Sequence, residues 1–201
     1  MRVTVIDYKA GNLTSVLKAL QHLGAEPEVT DSDLSVIERA DRIVLPGVGH
    51  FAATERLDST GMTHVIREAV KRGVPFLGIC VGMQWLYAGS TEATGQPGFG
   101  AFEDQCSRFP DAGEKVPHVG WNSLEVKGSP RLMAGVKDGE YVYFTHSYRA
   151  PVGAETAAVA NYIGPFAAAV ERGNVMGVQF HPEKSGETGL KILRNFLEWT
   201  C

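Results

Sequence analysis

The chain is poor in cysteine, with three in 201 residues. They stand at positions 80, 106 and 201, too far apart for a zinc site or a CxxC redox pair. An odd, dispersed set fits a reducing compartment rather than a disulfide scaffold. A surplus of positive charge is also missing. Nineteen Lys and Arg face 23 Asp and Glu, a formal net charge of -4, so no basic stripe could neutralise a phosphate backbone. Nucleic acid is not an expected partner, which leaves small molecules and proteins. No apolar run reaches membrane-spanning length, and the strand-like MRVTVID at the start carries no basic n-region or long apolar segment. The expectation is a soluble cytoplasmic protein with no membrane contact, no metal and no cofactor.

What is there reads as one domain over residues 1–201, long enough to bury one sizeable core. VTVID, NLTSVLKALQHLG, RIVLPG, MTHVIREAVKRG and VPFLGIC alternate in a βαβα rhythm. In the second stretch Leu13, Val16, Leu17, Leu20 and Leu23 fall at helical spacing, and Gly24 is placed to end the helix in the left-handed region. RIVLP and VPFLGI are nearly continuous apolar runs, as strands covered on both faces are. From about residue 95 to 120 the rhythm breaks into Gly, Pro and polar pieces. EYVYF and NVMGVQF follow, then a last helix over roughly 185–199 with Leu190, Ile192, Leu193, Phe196 and Leu197 on one broad face. The predicted fold is α/β: a doubly wound, mostly parallel sheet with helices on both faces and antiparallel strands in the C-terminal half.

Gly78-Ile79-Cys80-Val81-Gly82 lies between an apolar strand and the helix-like MQWLYAG, the pattern of a nucleophile elbow. A strained strand-to-helix turn needs glycines two residues to either side so that it can pass close to neighbouring backbone. At a helix N-terminus the dipole and free N–H groups favour a thiolate, and the Val81 N–H can bind an oxyanion. A thiol nucleophile needs a base, and the base an orienting group. His181-Pro182-Glu183 supplies both, since Pro182 favours extended geometry at His181 and residues two apart then face the same side. None of His22, His50, His64, His118 and His146 is followed two residues later by a carboxylate. Leu45-Pro46-Gly47-Val48-Gly49 ends a buried strand in a Gly-rich turn whose N–H groups could complete the oxyanion hole. It lacks the Lys and Ser/Thr of a phosphate-binding loop.

With Cys80, His181 and Glu183 in that chain order, the sequence resembles the class I (triad) glutamine amidotransferases. Further strings extend the resemblance: Asp7-Tyr8 with Gly11-Asn12-Leu13, PGVG at 46–49, GICVGMQ at 78–84, PHVGWN at 117–122, YVYFTHSY at 141–148 and QFHPEKS at 179–185. Together they are similar to the glutaminase subunits of imidazole glycerol phosphate synthases. One departure is Val81, where the family more often has Leu. The resemblance implies a cysteine that attacks the side-chain amide of glutamine, and a heterodimer with a cyclase subunit that takes up the ammonia. It also implies a glutamine contact at Gln84, His146, Ser147 and Tyr148, and oxyanion N–H groups at Val48 and Val81 beside Gly47 and Gly49. Asn12, Ser15, Lys18, Trp121, Asn122, Tyr143 and Lys184 would lie toward the partner.

Overall fold

A computed structural model describes residues 1–10 and 13–200. The first half runs β1 (Arg2–Ile6), α1 (Thr14–His22), β2 (Glu26–Thr30), α2 (Leu34–Glu38), β3 (Arg42–Gly47), α3 (Glu55–Ser59), α4 (Met62–Lys71), β4 (Phe76–Cys80) and α5 (Val81–Trp85). The second continues with β5 (Gly89–Ser90), β6 (Gln105–Arg108), β7 (His118–Ser123), β8 (Glu125–Val126), β9 (Tyr141–His146), β10 (Tyr148–Arg149), β11 (Thr156–Asn161), β12 (Pro165–Arg172), β13 (Val175–Val178) and α6 (Gly186–Glu198). Gly24 caps α1 with φ +80°, and its N–H donates to the Gln21 carbonyl, the left-handed end expected there. Val16 and Leu20 are buried, while Leu13, Leu17 and Leu23 pack half-buried against the core.

The main sheet has the order β2-β1-β3-β4-β13-β12-β11-β8. Pairings from β2 to β13 are parallel, and those from β13 to β8 antiparallel. This is the α/β sheet anticipated, with its antiparallel strands in the C-terminal half. The exception in that half is β13, which returns to lie parallel to β4 in the register Val178↔Ile79. Such a return brings the end of NVMGVQF beside the end of VPFLGIC. The carboxyl ends of β3, β4 and β13 therefore share one edge, the usual location of a site in an open parallel sheet. A two-stranded ribbon, β7 with β9, stands apart from the main sheet. Among the described residues no helix is long and apolar enough to cross a membrane.

Candidate active site

Cys80 closes β4 and precedes α5 with φ 56° and ψ −110°. A β-carbon at positive φ is strained, and such strain persists only where the surroundings impose it. Here they do. A side-chain carbon at Gly82 would run into the Leu45 carbonyl oxygen, and one at Gly78 into the Gly82 carbonyl. The glycines flanking the elbow let α5 start directly against β3 and β4. α5 is only five residues long, so its electrostatic contribution at Cys80 is that of one turn of free N–H groups, not of a long macrodipole.

His181 follows β13 in extended geometry, φ −98° and ψ 95°, and Pro182 begins a short 3-10 turn. Its backbone is pinned on both sides: its N–H donates to the Tyr143 carbonyl at 2.9 Å, and its carbonyl accepts from the Ser185 hydroxyl at 2.6 Å. His181 Nδ1 lies 2.9 Å from Glu183 Oε1, with both side chains buried. Nε2 is buried with no nitrogen or oxygen partner, and the group it interacts with is the Cys80 sulfur. Burial alone would lower the His181 pKa. Hydrogen bonding to Cys80 and Glu183, with the charges on both, overrides that and holds the pKa up at about 9.

A pocket of about 150 Å³ joins Cys80 to Gly49, Val81, Gln84, His146, Ser147 and Tyr148, seven residues singled out in the sequence. Glu92, Pro117 and Thr145 complete its wall. A larger groove of about 320 Å³ around Tyr87, Asp104 and Arg172 lies elsewhere and holds no nucleophile. Gln84 donates through Nε2 to the Tyr148 carbonyl at 3.0 Å and to Gln179 Oε1 at 3.1 Å, while its own Oε1 is buried with no partner. That oxygen is an acceptor available to an incoming amide or ammonium group. His146 is a neutral hydrogen-bonding ring, because burial pushes its pKa down to about 3.

The oxyanion candidates divide. Gly47 pairs with Cys80 across β3 and β4, Gly49 takes φ +95°, and Val81 opens α5. The Val48 N–H, in contrast, donates to the Ala10 carbonyl at 3.1 Å. It is already engaged and does not point freely toward Cys80.

The residues assigned to a partner also divide. Trp121 and Tyr143 are cross-strand neighbours on the outward face of the β7–β9 ribbon, with ring centroids 6.1 Å apart, and Lys184 Nζ sits 6.0 Å from the Tyr143 ring. Trp121 is 55% exposed. Asn122 does not share that face. Successive strand residues point to opposite sides, and Asn122 turns inward to donate to the Asn161 carbonyl at 3.0 Å. Lys18 is exposed and Ser15 half-buried on α1. Asn12 lies outside the described residues.

Two side chains beside Cys80 appear in the quoted sequence strings but were given no role there. Tyr8 fills the space that a side chain on Gly47 would need, and its buried hydroxyl has no hydrogen bond. Its pKa is driven far up by burial and by the charge of Cys80, so it stays a neutral phenol. Gln179 is fully buried and donates toward Cys80 Sγ at 3.7 Å. The alternation that links His181 to Glu183 would have found Gln179, had it been carried one step back along the strand.

The chain belongs to the class-I glutamine amidotransferases: the model of that family matches residues 4–199. Its relatives point to a branch of the family. The chain is 45% identical over 200 residues, 98% of each chain, to the imidazole glycerol phosphate synthase subunit HisH of Methanosarcina acetivorans. It is 45% identical over 198 residues, 96% of this chain and 92% of the other, to the subunit of the same name from Deinococcus radiodurans. A crystal structure of a glutamine amidotransferase aligns with a TM-score of 0.76 over 98% of this chain and 97% of that one. At 22% identity that likeness is one of fold.

Proposed function

We propose that the chain is the glutaminase subunit of an imidazole glycerol phosphate synthase. Cys80 attacks the side-chain amide of glutamine, His181 gives its proton to the departing ammonia, and a glutamyl thioester remains on the sulfur. Water then adds to the thioester, His181 takes up the water's proton, and glutamate leaves with the C–S bond broken. Glu183 holds the His181 ring in the tautomer and orientation both steps need. Gln84, His146, Ser147 and Tyr148 hold the glutamine, and Gly47, Val48, Gly49 and Val81 surround the oxyanion. The observation that carries this reading is the strained Cys80 at the end of β4, beside a His181–Glu183 pair at the end of the adjacent parallel strand.

The ammonia would pass to a cyclase subunit that converts PRFAR to imidazole glycerol phosphate and AICAR, a lyase step of histidine biosynthesis in the cytoplasm. Of the described residues assigned to that partner, Trp121, Lys184 and Lys18 are exposed, and Tyr143 lies half-buried beside Trp121. The engaged Val48 N–H supports a subunit that is nearly idle alone. Freeing one oxyanion donor is worth roughly 10²–10³ in rate, so glutamate release is expected to rise by about that factor when the cyclase subunit and its nucleotide substrate are added. Equal rates with and without them would refute the partner assignment.

The elevated His181 pKa sets the expected pH dependence. The ring keeps its proton below about pH 9 and loses it above, so the acid that serves the leaving ammonia disappears on the alkaline side. In the complex, kcat/KM for glutamate release is expected to fall with a midpoint near 9. Glu183→Gln removes the charge, and weakens the hydrogen bond, that both raise this pKa, and should move the midpoint to lower pH. An unmoved midpoint would remove Glu183 from the orienting role.

A further inference from the structure

Beneath the glutamine pocket runs a chain of hydrogen bonds, buried at His118–His146 and at Gln84–Gln179–Cys80 and open to solvent at Asn122. At its centre is the Tyr148 carbonyl, which can only accept. It takes His146 Nδ1 at 2.8 Å and Gln84 Nε2 at 3.0 Å, and this fixes the direction of every other bond along two arms.

On the first arm the Nδ1 of His146 must carry its hydrogen. Burial holds the His146 pKa down at about 3 and that of His118 down at about 4, so both rings are neutral. The Nε2 of His146 is therefore a lone pair, and it accepts from His118 Nδ1 at 3.1 Å. The Nε2 of His118 is then also a lone pair, and it faces Asn122 Nδ2 at 3.5 Å. The far end agrees independently: Asn122 Nδ2 donates to the Asn161 carbonyl at 3.0 Å, and its Oδ1 accepts from the Ser123 N–H at 2.8 Å. On the second arm, the other hydrogen of Gln84 Nε2 reaches Gln179 Oε1 at 3.1 Å. That turns the amide nitrogen of Gln179, not its oxygen, toward Cys80 Sγ.

We propose that Gln179 supports the Cys80 sulfur as a hydrogen-bond donor, and that His118 is a positioning residue which fixes the tautomer of His146 in the wall of the glutamine pocket. This rests on the reading of Cys80 as the nucleophile. A donor beside the sulfur favours thiolate over thiol, and an acceptor in the same place would do the reverse. Without a donor from His118, the Nε2 of His146 is a buried orphan. The ring then gains by moving its hydrogen there and giving up the Tyr148 carbonyl.

The test has readouts that need no turnover. In the unaltered protein at pH 7, ¹⁵N NMR of the imidazole nitrogens should find His146 protonated on Nδ1 only. An Nε2-protonated His146 would overturn the direction of the whole chain without any variant. Gln179→Glu keeps the shape and replaces the donor by an acceptor. The pH midpoint of iodoacetamide alkylation, followed on the Cys80 peptide by mass spectrometry, should rise by about one unit or more. An unchanged midpoint in a folded variant would overturn the role of Gln179. His118→Leu should shift His146 toward the Nε2 tautomer and raise KM for glutamine in the complex by about tenfold or more, with a smaller change in kcat. His118→Asn, whose amide can donate from nearly the Nδ1 position, should restore both. A Leu variant with the original tautomer and KM, or an Asn variant no better than Leu, would overturn the role of His118. Should the unaltered complex release no glutamate, the functional reading fails, while the alkylation and NMR results still decide this one.

Discussion

Replacing Cys80 with alanine is expected to lower glutamate release in the complex by at least about 10³-fold. The fold should survive. The side chain lost is small, and alanine at φ 56° carries the same β-carbon strain that cysteine does, so the elbow is neither relieved nor worsened. The His181–Glu183 pair is built from residues after β13 and is pinned through Tyr143 and Ser185, so it stays in place. Cys80→Ser should be nearly as inactive despite its similar shape. A serine hydroxyl is much less acidic than a thiol, so His181 cannot hold it as the ready anion that a thiol becomes. Melting temperature and glutamate release, measured together on both variants, separate loss of chemistry from loss of fold. Activity within about tenfold of the unaltered protein in either one would remove Cys80 from the nucleophile role.

The elements legible from sequence were those whose physics is local. The elbow announces itself because its glycines and cysteine lie within five residues, and His181 with Glu183 because alternation and one proline decide where they face. The βαβα rhythm gives the parallel half of the sheet for the same reason. The parallel return of β13 to β4 was not legible: its four residues carry the same apolar pattern as the antiparallel β12 beside it. The sheet order that brings Cys80 to His181 is a tertiary choice. The state of the Val48 N–H depends on a carbonyl 38 residues earlier, at Ala10. Tyr8 was visible as part of a string, but the space it fills under Gly47 exists only once β1 lies beside β3. Trp121 and Asn122 were grouped by the family resemblance, and strand alternation separates them. Gln179 and His118 act through hydrogen bonds between residues 28 to 99 positions apart, which no spacing rule reaches.

Gly82→Ala tests whether the close approach at the elbow is required. Two effects of opposite sign compete. Gly82 sits within α5, where alanine is favoured over glycine by about 1 kcal/mol, so propensity alone predicts a more stable protein. Against this, the new carbon would overlap the Leu45 carbonyl oxygen, a backbone atom of a buried central strand that cannot swing aside as a side-chain tip could. Overpacking of this kind costs about 3 kcal/mol or more when backbone must move. The clash should therefore win by a net of about 2 kcal/mol or more, and for a chain of this length the melting temperature should drop by roughly 4–8 °C. Gly153→Ala is the matching control: a carbon there would meet Asp104 Oδ2 at an ordinary 3.8 Å, and its melting point should stay within about 2 °C of the unaltered protein. Activity should fall in Gly82→Ala well below what the stability loss explains, because any shift of α5 away from β3 carries the Val81 N–H and the Cys80 sulfur with it. Displacements of about 1 Å at a reacting group can cost around 10²-fold in rate. A Gly82→Ala protein that melts with the control and turns over normally would mean that the elbow does not depend on the contact with Leu45. The strain at Cys80 would then have to be imposed from the side of β13 and Gly78.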